Sequence, residues 1–382
     1  MDACMIPRTI FTPEHEMFRD SLRKFLEREI APHHAQWEED GIVAREAWEK
    51  AGREGILLMS TPAAYGGQGL DRLFSVVLIE ELARLNLSGP FFHLHSEIVA
   101  PYILNHGTEA QKSTWLPRMA RGEAIGAIAM TEPGGGSDLQ SMRTTARRDG
   151  DDYVINGQKT FISNGQLADL VVVAAKTDPA AGSRGVSLII VEGDRPGFRR
   201  RRKLNKLGAH APATSGPLFD DVRVPASNLV GAENRGFYVL MKELAWERTM
   251  IAVRSVALAK AALGWTSAYA RDRKVFGAPL LDMQHTRFKL AEHKARIEMA
   301  RVFVDRCLEL MMKGELDATV AAVAKRQTTE MLMQTLDDCV QIHGGYGYMW
   351  DYPICRAYAD SRFSRIAGGS NETMLDLIAR TL

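Results

Sequence analysis

The sequence predicts an α+β multidomain fold: an N-terminal helical domain, a middle β-barrel-like domain and a C-terminal four-helix bundle. Three observations support this prediction. Helical patterns fill the first part of the 382 residues, short β-prone segments separated by turn residues follow, and long helical patterns return beyond Asn234. A chain of this length with 46% apolar residues can bury a large core, so more than one packed unit is expected. We place the domains at residues 1–121, 122–234 and 235–382.

The N-terminal block is predicted to be helical. Thr12 is a good N-cap, and Pro13 suits the first helical position. One face of this helix collects Phe18, Leu22, Phe25, Leu26 and Ile30. We expect Pro32 to end the helix, because proline is poorly tolerated inside one. Two further helices are predicted, from Val76 to Leu85 and from Glu109 to Met119.

The middle block is predicted to be β-rich, because its apolar segments are short, β-branched and bounded by Gly, Pro, Asn and Asp. The predicted strands are Tyr153 to Asn156, Leu170 to Ala175, Val186 to Val191 and Leu218 to Val224. The last block returns to long helical patterns that are expected to pack as antiparallel neighbours. Its predicted helices are Arg235 to about Asp272, Gln284 to Lys313, Asp317 to about His343, and Asn371 to the end.

Composition argues against nucleic-acid and membrane partners and bears on the cellular compartment. The formal net charge of +1 provides no overall field to hold nucleic acid or an anionic membrane, and the apolar runs are too short to span a bilayer. The four cysteines lie far apart without a Cys-x-x-Cys pair, which indicates a reducing compartment. Because no signal-peptide pattern is present, we expect the cytoplasm, or the mitochondrial matrix for a processed eukaryotic chain.

Two other features resemble binding sites but are interpreted here as ordinary structural residues. The basic run from Arg199 to Lys203 could bind phosphate or nucleic acid, but such a run is more often a solvated loop. The histidine pairs His33/His34 and His93/His95 suggest a metal site only superficially, because no third ligand stands at suitable spacing. We therefore predict no metal.

Glu247 is the main candidate for a catalytic residue. On helical spacing it shares one line with the apolar residues Leu240, Leu244, Ile251 and Leu258. A carboxylate in an apolar stripe must be paired, protonated or functional, and burial raises its pKa, which suits a general base. A surface ion pair is the ordinary alternative, and Glu243, one turn earlier, is the close competitor for the catalytic role.

A glycine-rich loop opens the middle block, running from Met130 through Gly134-Gly135-Gly136 to Ser137 and Asp138. Glycines allow backbone N–H groups to approach a bound group closely, so a cofactor loop is plausible. The loop lacks the G-x-G-x-x-G spacing of a Rossmann site. Taken alone, it is a weak signal.

Four motifs in order resemble those of acyl-CoA dehydrogenases, closest to the long-chain branch, and the resemblance spans essentially the whole chain. The motifs are Thr131 to Asp138, Phe161 to Gly165, Arg271 to Gly277, and Gln341 to Gly347. The resemblance implies FAD as cofactor. It also implies an acyl-CoA substrate, electron-transferring flavoprotein as electron acceptor, and a homotetramer arranged as a dimer of dimers.

The resemblance also implies roles for individual residues. Hydroxyls like those of Thr131 and Ser163 donate to the isoalloxazine, and Arg273 meets the FAD pyrophosphate. Gln284 and the segment from Gln341 to Gly345 resemble positions that contact FAD across a subunit boundary. The full set of expected FAD residues is Ile128, Met130, Thr131, Gly136, Ser137, Phe161, Ile162, Ser163, Arg273, Phe276, Gln284, Gln341, Gly344, Gly345, Asn371 and Glu372. The expected substrate-binding residues are Ser137, Tyr238, Arg248, Gly368 and Gly369.

Two of these substrate residues have ordinary alternatives. Arg248 steadies the base or the adenosine part of the ligand, or forms a structural ion pair. Tyr238 lines the acyl channel or simply packs.

Family members place the catalytic base in one of two positions, and this sequence has it in only one. The position just before the final helix is Gly368, so it supplies no carboxylate, whereas Glu247 matches the alternative position on the long helix. The reaction implied is α,β-dehydrogenation to the trans-2-enoyl-CoA, with Glu247 removing the α proton and hydride leaving the β carbon for flavin N5. Enolate-like charge on the carbonyl is stabilised in this family by a ribityl hydroxyl and a backbone N–H near Gly368.

Departures from the family suggest a reshaped substrate pocket. Ala367 stands where relatives usually carry tyrosine, which opens space, whereas Trp246 replaces a smaller or polar residue. We therefore expect a substrate that is branched or bulky near the thioester. Two rival functions remain on the same fold: a flavin-dependent monooxygenase or oxidase, and a non-catalytic scaffold protein.

Overall fold

The N-terminal part of the chain folds into helices. The computed structural model describes residues 5–382. The helices are α1 (Pro13–Phe25), α2 (Ala31–Asp40), α3 (Arg45–Arg53), α4 (Leu73–Arg84), α5 (Phe92–Leu94), α6 (Ala100–His106) and α7 (Glu109–Ala120). Thr12 is the N-cap of α1 in a capping box with His15, and Thr108 caps α7 through Gln111. Local capping therefore fixes where both helices begin.

The prediction that Pro32 ends the first helix is wrong. The chain passes from α1 through a π-helical turn, Leu26–Ile30, directly into α2, where Pro32 occupies the second helical position. Proline is tolerated in the first turn, where its missing N–H costs no intrahelical hydrogen bond. Gly41 ends α2 instead, with a left-handed φ of 63°.

The middle part forms one eight-stranded sheet. Its strands are β1 (Gly126–Ala129), β2 (Thr145–Asp149), β3 (Asp152–Gln158), β4 (Leu170–Lys176), β5 (Val186–Glu192), β6 (Phe198–Arg199), β7 (Leu218–Pro225) and β8 (Leu229–Val230). The strand order is β6-β7-β3-β2-β4-β5-β8, and β1 pairs in parallel with β4. All four strands predicted from the sequence are present.

The C-terminal part returns to helices. It contains α8 (Gly236–Asp272), a short hairpin of β9 (Lys274–Val275) and β10 (Ala278–Pro279), α9 (Gln284–Met312), α10 (Ala318–His343), α11 (Pro353–Ser361) and α12 (Asn371–Ala379). Helix α8 is the central element, because it packs against α9 and α10 and also against α4 of the N-terminal part. No helix within residues 5–382 is long and apolar enough to cross a membrane.

Strand β4 joins the middle sheet to the rest of the molecule. Its residues Leu170, Val172 and Ala174 belong to a core shared with the N-terminal helices. The alternating residues Val171, Val173 and Ala175 belong to a second core inside the sheet domain. The strand is thus buried on both faces, which explains its uninterrupted apolar sequence.

Candidate active site

Glu247 lies on α8 with its side chain turned into the protein. The residue is only 6% exposed, and the phenol of Tyr102 on α6 donates a hydrogen bond of 3.0 Å to its Oε1. Burial raises the pKa of the Glu247 carboxyl to about 7, although the Tyr102 hydrogen bond opposes the shift. A carboxyl with this pKa exchanges a proton readily near neutral pH, as a general base must.

Glu243, one turn earlier on α8, has a different environment. Its Oε1 accepts a hydrogen bond of 3.1 Å from the amide of Asn105 and lies 3.2 Å from Nε2 of His106. Both partners belong to the end of α6, which Glu243 holds against α8. The carboxylate is therefore engaged in joining two helices, whereas Glu247 has a single neutral partner.

Trp246, next to Glu247 in the chain, is anchored in a buried polar cluster. Its indole N–H donates to Glu97 at 3.1 Å, and Glu97 also accepts hydrogen bonds from Ser60 and Ser75. The Arg72 guanidinium lies 5.1 Å from the centre of the indole ring. Burial raises the pKa of Glu97. The Trp246 side chain is thus packed in the core between α8 and α4.

The loop before α12 is held close to Glu247. Nε of Arg248 donates to the Gly368 carbonyl at 3.2 Å. The buried ammonium of Lys325 donates to the Gly369 carbonyl and to the Asn371 side chain, each at 2.7 Å. Gly368 has a φ of +67°, and a Cβ there would lie 2.7 Å from Cδ1 of Ile251. Arg248, Gly368 and Gly369 are therefore brought together near Glu247.

Asn371 and Glu372 differ in their surroundings. The amide group of Asn371 donates to Thr329 at 3.0 Å and to Glu330 at 2.7 Å, so this buried side chain is used to hold the loop. Glu372 follows at the start of α12 and is exposed. Tyr238 is 67% exposed at the beginning of α8.

A buried ion pair shapes the glycine-rich loop of the middle sheet. Nζ of Lys159 lies 2.9 Å from Oε1 of Glu132 and also donates to the Met130 carbonyl. Glu132 accepts two backbone N–H groups, from Arg143 at 2.6 Å and Thr144 at 2.9 Å. These contacts tie both ends of the loop that presents Thr131, Gly136 and Ser137 to the surface. Ile128 and Met130 lead into this loop from β1.

The segment from Phe161 to Ser163 is irregular and does not form a regular strand. Ile162 makes an isolated bridge to Ser215, and a turn follows. Phe161 has a φ of 60° and is 69% exposed, which is a strained conformation for an aromatic residue and a common feature of ligand sites. The hydroxyls of Thr131 and Ser163 have no hydrogen-bond partner among residues 5–382, so both are available to a ligand.

A cleft lies at the C-terminal end of α8. Its volume is about 620 Å³, and its lining includes Arg273, Gly344 and Gly345. A Cβ at either glycine would meet open space, and the Arg273 guanidinium has no ion pair with any described residue. Backbone N–H groups beside an unpaired guanidinium suit a phosphate.

Other predicted residues surround this cleft. Phe276 is fully exposed at the tip of the β9–β10 hairpin with a φ of 50°, followed by Gly277 at 85°. Gln284 begins α9, and Gln341 lies in the last turn of α10. Along α8, Arg273 is 26 positions from Glu247, or about 39 Å at 1.5 Å per residue. Arg273 and Glu247 thus lie far apart within one chain.

Comparison with known proteins identifies the family. The chain matches the N-terminal, middle and C-terminal domains of acyl-CoA dehydrogenase over residues 12–123, 127–222 and 234–382. It is 48% identical over 377 residues to the mitochondrial long-chain specific acyl-CoA dehydrogenase of Sus scrofa, covering 98% of this chain and 88% of that protein. The chain belongs to the acyl-CoA dehydrogenase family. Acyl-CoA dehydrogenases are FAD-dependent oxidoreductases, so the expected enzyme class and cofactor are confirmed.

Solved structures agree with this assignment. An acyl-CoA dehydrogenase from Geobacillus kaustophilus superposes with a TM-score of 0.97 at 46% identity, covering 98% of this chain and 99% of that one. Butyryl-CoA dehydrogenase from Megasphaera elsdenii superposes with a TM-score of 0.91 at 34% identity, covering 97% and 98%. The predicted three-part acyl-CoA dehydrogenase fold is therefore confirmed.

Tyr102 is a hydrogen-bond partner of Glu247 that the sequence analysis missed. It is fully buried between the apolar neighbours Val99 and Ile103, and its hydroxyl is used only on Glu247. A phenol in an otherwise apolar helical stretch was the available signal, because a buried tyrosine hydroxyl almost always has a partner. The identity of that partner, 145 positions away, depends on the fold.

Proposed function

We propose that the protein catalyses the α,β-dehydrogenation of an acyl-CoA thioester to the trans-2-enoyl-CoA, with Glu247 as the base that removes the α proton. The main support is the buried Glu247 carboxyl, whose pKa is raised to about 7, in a chain where the alternative position is Gly368. Glu243 is a weaker candidate, because Asn105 and His106 already engage its carboxylate.

The chain's own groups explain how proton removal would become feasible. Burial makes the ionised Glu247 carboxylate costly and therefore basic, and Tyr102 orients one of its oxygens. A backbone N–H at the Gly368 loop would stabilise charge on the thioester carbonyl, and Arg248 and Lys325 hold that loop in place. When bound, FAD supplies the acceptor for the hydride that leaves the β carbon.

We propose the FAD-binding residues from their geometry. The free hydroxyls of Thr131 and Ser163 and the exposed ring of Phe161 would meet the flavin. Arg273 with the Gly344-Gly345 backbone would bind the pyrophosphate. Because about 39 Å of helix separates Arg273 from Glu247, a single dinucleotide would reach both groups only if they come from different subunits. This separation supports an assembly in which two subunits share each cofactor, as the proposed dimer of dimers would.

The partners and compartment follow the family resemblance. We propose electron-transferring flavoprotein as the electron acceptor, as the family resemblance implies. The cytoplasm or a mitochondrial matrix would suit the widely separated cysteines, and the three in the described residues, Cys307, Cys339 and Cys355, are free thiols.

Replacing each candidate base tests the proposal. We expect Glu247→Gln to abolish bleaching of the flavin when the yellow holoenzyme is mixed anaerobically with an acyl-CoA. The matched control is Glu243→Gln, which alters a neighbouring carboxylate on the same helix and should retain most of the rate. Full flavin reduction in Glu247→Gln, or its loss only in Glu243→Gln, would reject the assignment of the base.

We also propose that the substrate is branched or bulky near the thioester. Ala367 carries only a methyl group where the resemblance leads us to expect tyrosine, and Trp246, whose volume would offset that gain in space, is packed into the core. Straight-chain, 2-methyl, 3-methyl and ring-bearing acyl-CoAs of matched carbon number would be compared by kcat/KM. A strong preference for unbranched palmitoyl-CoA would exclude this substrate class.

A further inference from the structure

Arg254 is a cation that the proposed chemistry does not use. It lies on α8, partly buried, and it makes no hydrogen bond or ion pair with any residue from 5 to 382. Its guanidinium lies 5.6 Å from the centre of the Phe363 ring. Burial lowers the pKa of Arg254, while the charge of nearby Asp360 opposes that shift. An unpaired buried cation is costly, so a partner outside the described residues is expected.

Asp360 does not fill that role. Its carboxylate accepts a hydrogen bond of 2.6 Å from the backbone N–H of Ala209, and it forms no ion pair with Arg254 within 4.0 Å. Burial raises the pKa of Asp360, and the charge of Arg254 opposes that shift. The guanidinium therefore keeps its hydrogen-bonding capacity for another acceptor.

A small enclosed cavity adjoins Arg254. Phe91 and His93 line it together with apolar residues of α4, and it holds about one water. Two polar atoms there, Nδ1 of His93 and Oδ1 of Asn86, are buried without a hydrogen-bond partner. Burial lowers the pKa of His93 to about 3, so its ring is neutral and can donate or accept one hydrogen bond. The walls of the cavity are thus mostly apolar, but two polar atoms in them have no hydrogen-bond partner.

The cavity is aligned with the base. Glu247, Ile251 and Arg254 occupy positions i, i+4 and i+7 of α8 and share one face of the helix. The segment from Phe91 to His106 runs antiparallel along this face, since Tyr102 contacts Glu247 and His93 shares the cavity with Arg254. The interface between α8 and this segment therefore contains both the Glu247 carboxylate and the Arg254 guanidinium.

We propose that the substrate carries a carboxylate at the far end of its acyl chain, and that Arg254 binds this group. This inference rests on the proposed function, because it places the α carbon at Glu247. Seven helical positions correspond to about 10.5 Å, and an extended chain advances about 3.4 Å per three bonds. A medium-length ω-carboxyacyl-CoA, with on the order of nine bonds or fewer beyond the α carbon, matches this span.

The physical reason for selectivity is charge pairing in a dry site. A guanidinium–carboxylate pair forms two parallel hydrogen bonds, and it removes the cost of leaving Arg254 unpaired. His93 would add one hydrogen bond to the same carboxylate. A methyl-ended chain of equal length leaves these groups unpaired, and such mismatches discriminate strongly between substrates.

The test compares matched thioesters. Octanoyl-CoA and its ω-carboxy counterpart suberoyl-CoA, with the hexanoyl/adipoyl and decanoyl/sebacoyl pairs, would be assayed with the wild-type holoenzyme, Arg254→Met and Arg254→Lys. We expect Arg254→Met to lower kcat/KM for the best ω-carboxy substrate by about 100-fold and to change the uncharged partner less than 3-fold. Arg254→Lys should be intermediate. Arg28→Met, an exposed surface arginine, is the control.

The outcomes separate this inference from the proposed function. Turnover of uncharged thioesters by the wild type, with none of any ω-carboxy partner, would overturn the role of Arg254 alone and leave the dehydrogenase proposal intact. An unchanged ratio between the two classes in Arg254→Met would also overturn it. Absence of flavin bleaching with every thioester would refute both proposals. Comparing the paired thioesters with the wild-type holoenzyme tests the role of Arg254 even if Arg254→Met does not fold.

Discussion

The hydrogen bond between Tyr102 and Glu247 leads to a quantitative prediction for Tyr102→Phe. The phenol donates to the carboxylate at 3.0 Å and so favours its ionised form, against the burial that raises its pKa to about 7. A hydrogen bond to a charged group contributes about 1.5–3 kcal/mol, and one pKa unit corresponds to 1.36 kcal/mol. Removing the hydroxyl should therefore raise the Glu247 pKa by roughly one to two units.

The assay is the rate of flavin reduction by an acyl-CoA under anaerobic conditions as a function of pH. Because the base must be ionised, the wild-type rate should rise with pH through a midpoint near 7. In Tyr102→Phe the midpoint should lie near 8 to 9, and the rate at pH 7 should fall about 5- to 50-fold yet recover at higher pH. A decrease in rate that pH does not reverse would indicate misplacement of the carboxylate instead.

The chain offers a matched control for this experiment. Tyr65 donates a hydrogen bond of 2.6 Å to Glu109 in an exposed pair of the same chemical type. Tyr65→Phe should leave the pH profile unchanged, because Glu109 lies at the surface and plays no part in proton removal. A midpoint that is unchanged or lower in Tyr102→Phe would refute the proposed link between the phenol and the base.

Two further predictions concern stability and cofactor retention. Because the Glu247 pKa rises from 4.5 to about 7 on folding, the folded state binds the extra proton and loses stability as pH rises through that window, by up to about 3 kcal/mol. Glu247→Gln should therefore melt above the wild type at pH 8.5 and near it at pH 4.5; an equal difference in Tm at both pH values would contradict this. Lys159→Met leaves the buried Glu132 carboxylate without its cation, which should cost about 3 kcal/mol and loosen the glycine-rich loop. Flavin absorbance retained after gel filtration should fall, and unchanged retention would show that the ion pair does not shape the cofactor site.

Periodicity predicted the long helices and the buried strands well. Helix α8 was expected from Arg235 to about Asp272 and spans Gly236–Asp272. Strand β5 was expected from Val186 to Val191 and spans Val186–Glu192. These elements bury continuous apolar faces, and that burial leaves a direct trace in the sequence. The missed β1 has four residues, Gly126–Ala129, and joins the sheet only by pairing with β4, which local sequence does not reveal.

The residues alone indicated the candidate site only where a side chain was of an unexpected type for its position. Glu247 stood out because a charge interrupts an apolar stripe. Arg254 shares that helical face, yet a long side chain can place its charge in water from many positions. Only the packing of the Phe91 to His106 segment shows that this guanidinium has no partner. Tyr102 was missed for the same reason, since its bond to Glu247 spans 145 positions.

The two glutamates on α8 show how tertiary contacts assign different roles to identical side chains. Glu243 and Glu247 are similarly buried, at 8% and 6% exposure, and they lie one turn apart. Glu243 meets two hydrogen-bond donors at the end of α6, including the ionisable His106, which fixes it as a structural contact. Glu247 accepts a hydrogen bond only from a neutral phenol of the same helix, and burial raises the pKa of its carboxyl to about 7. Because α6 supplies both sets of partners, the position of this helix against α8 determines which carboxylate can act as the base.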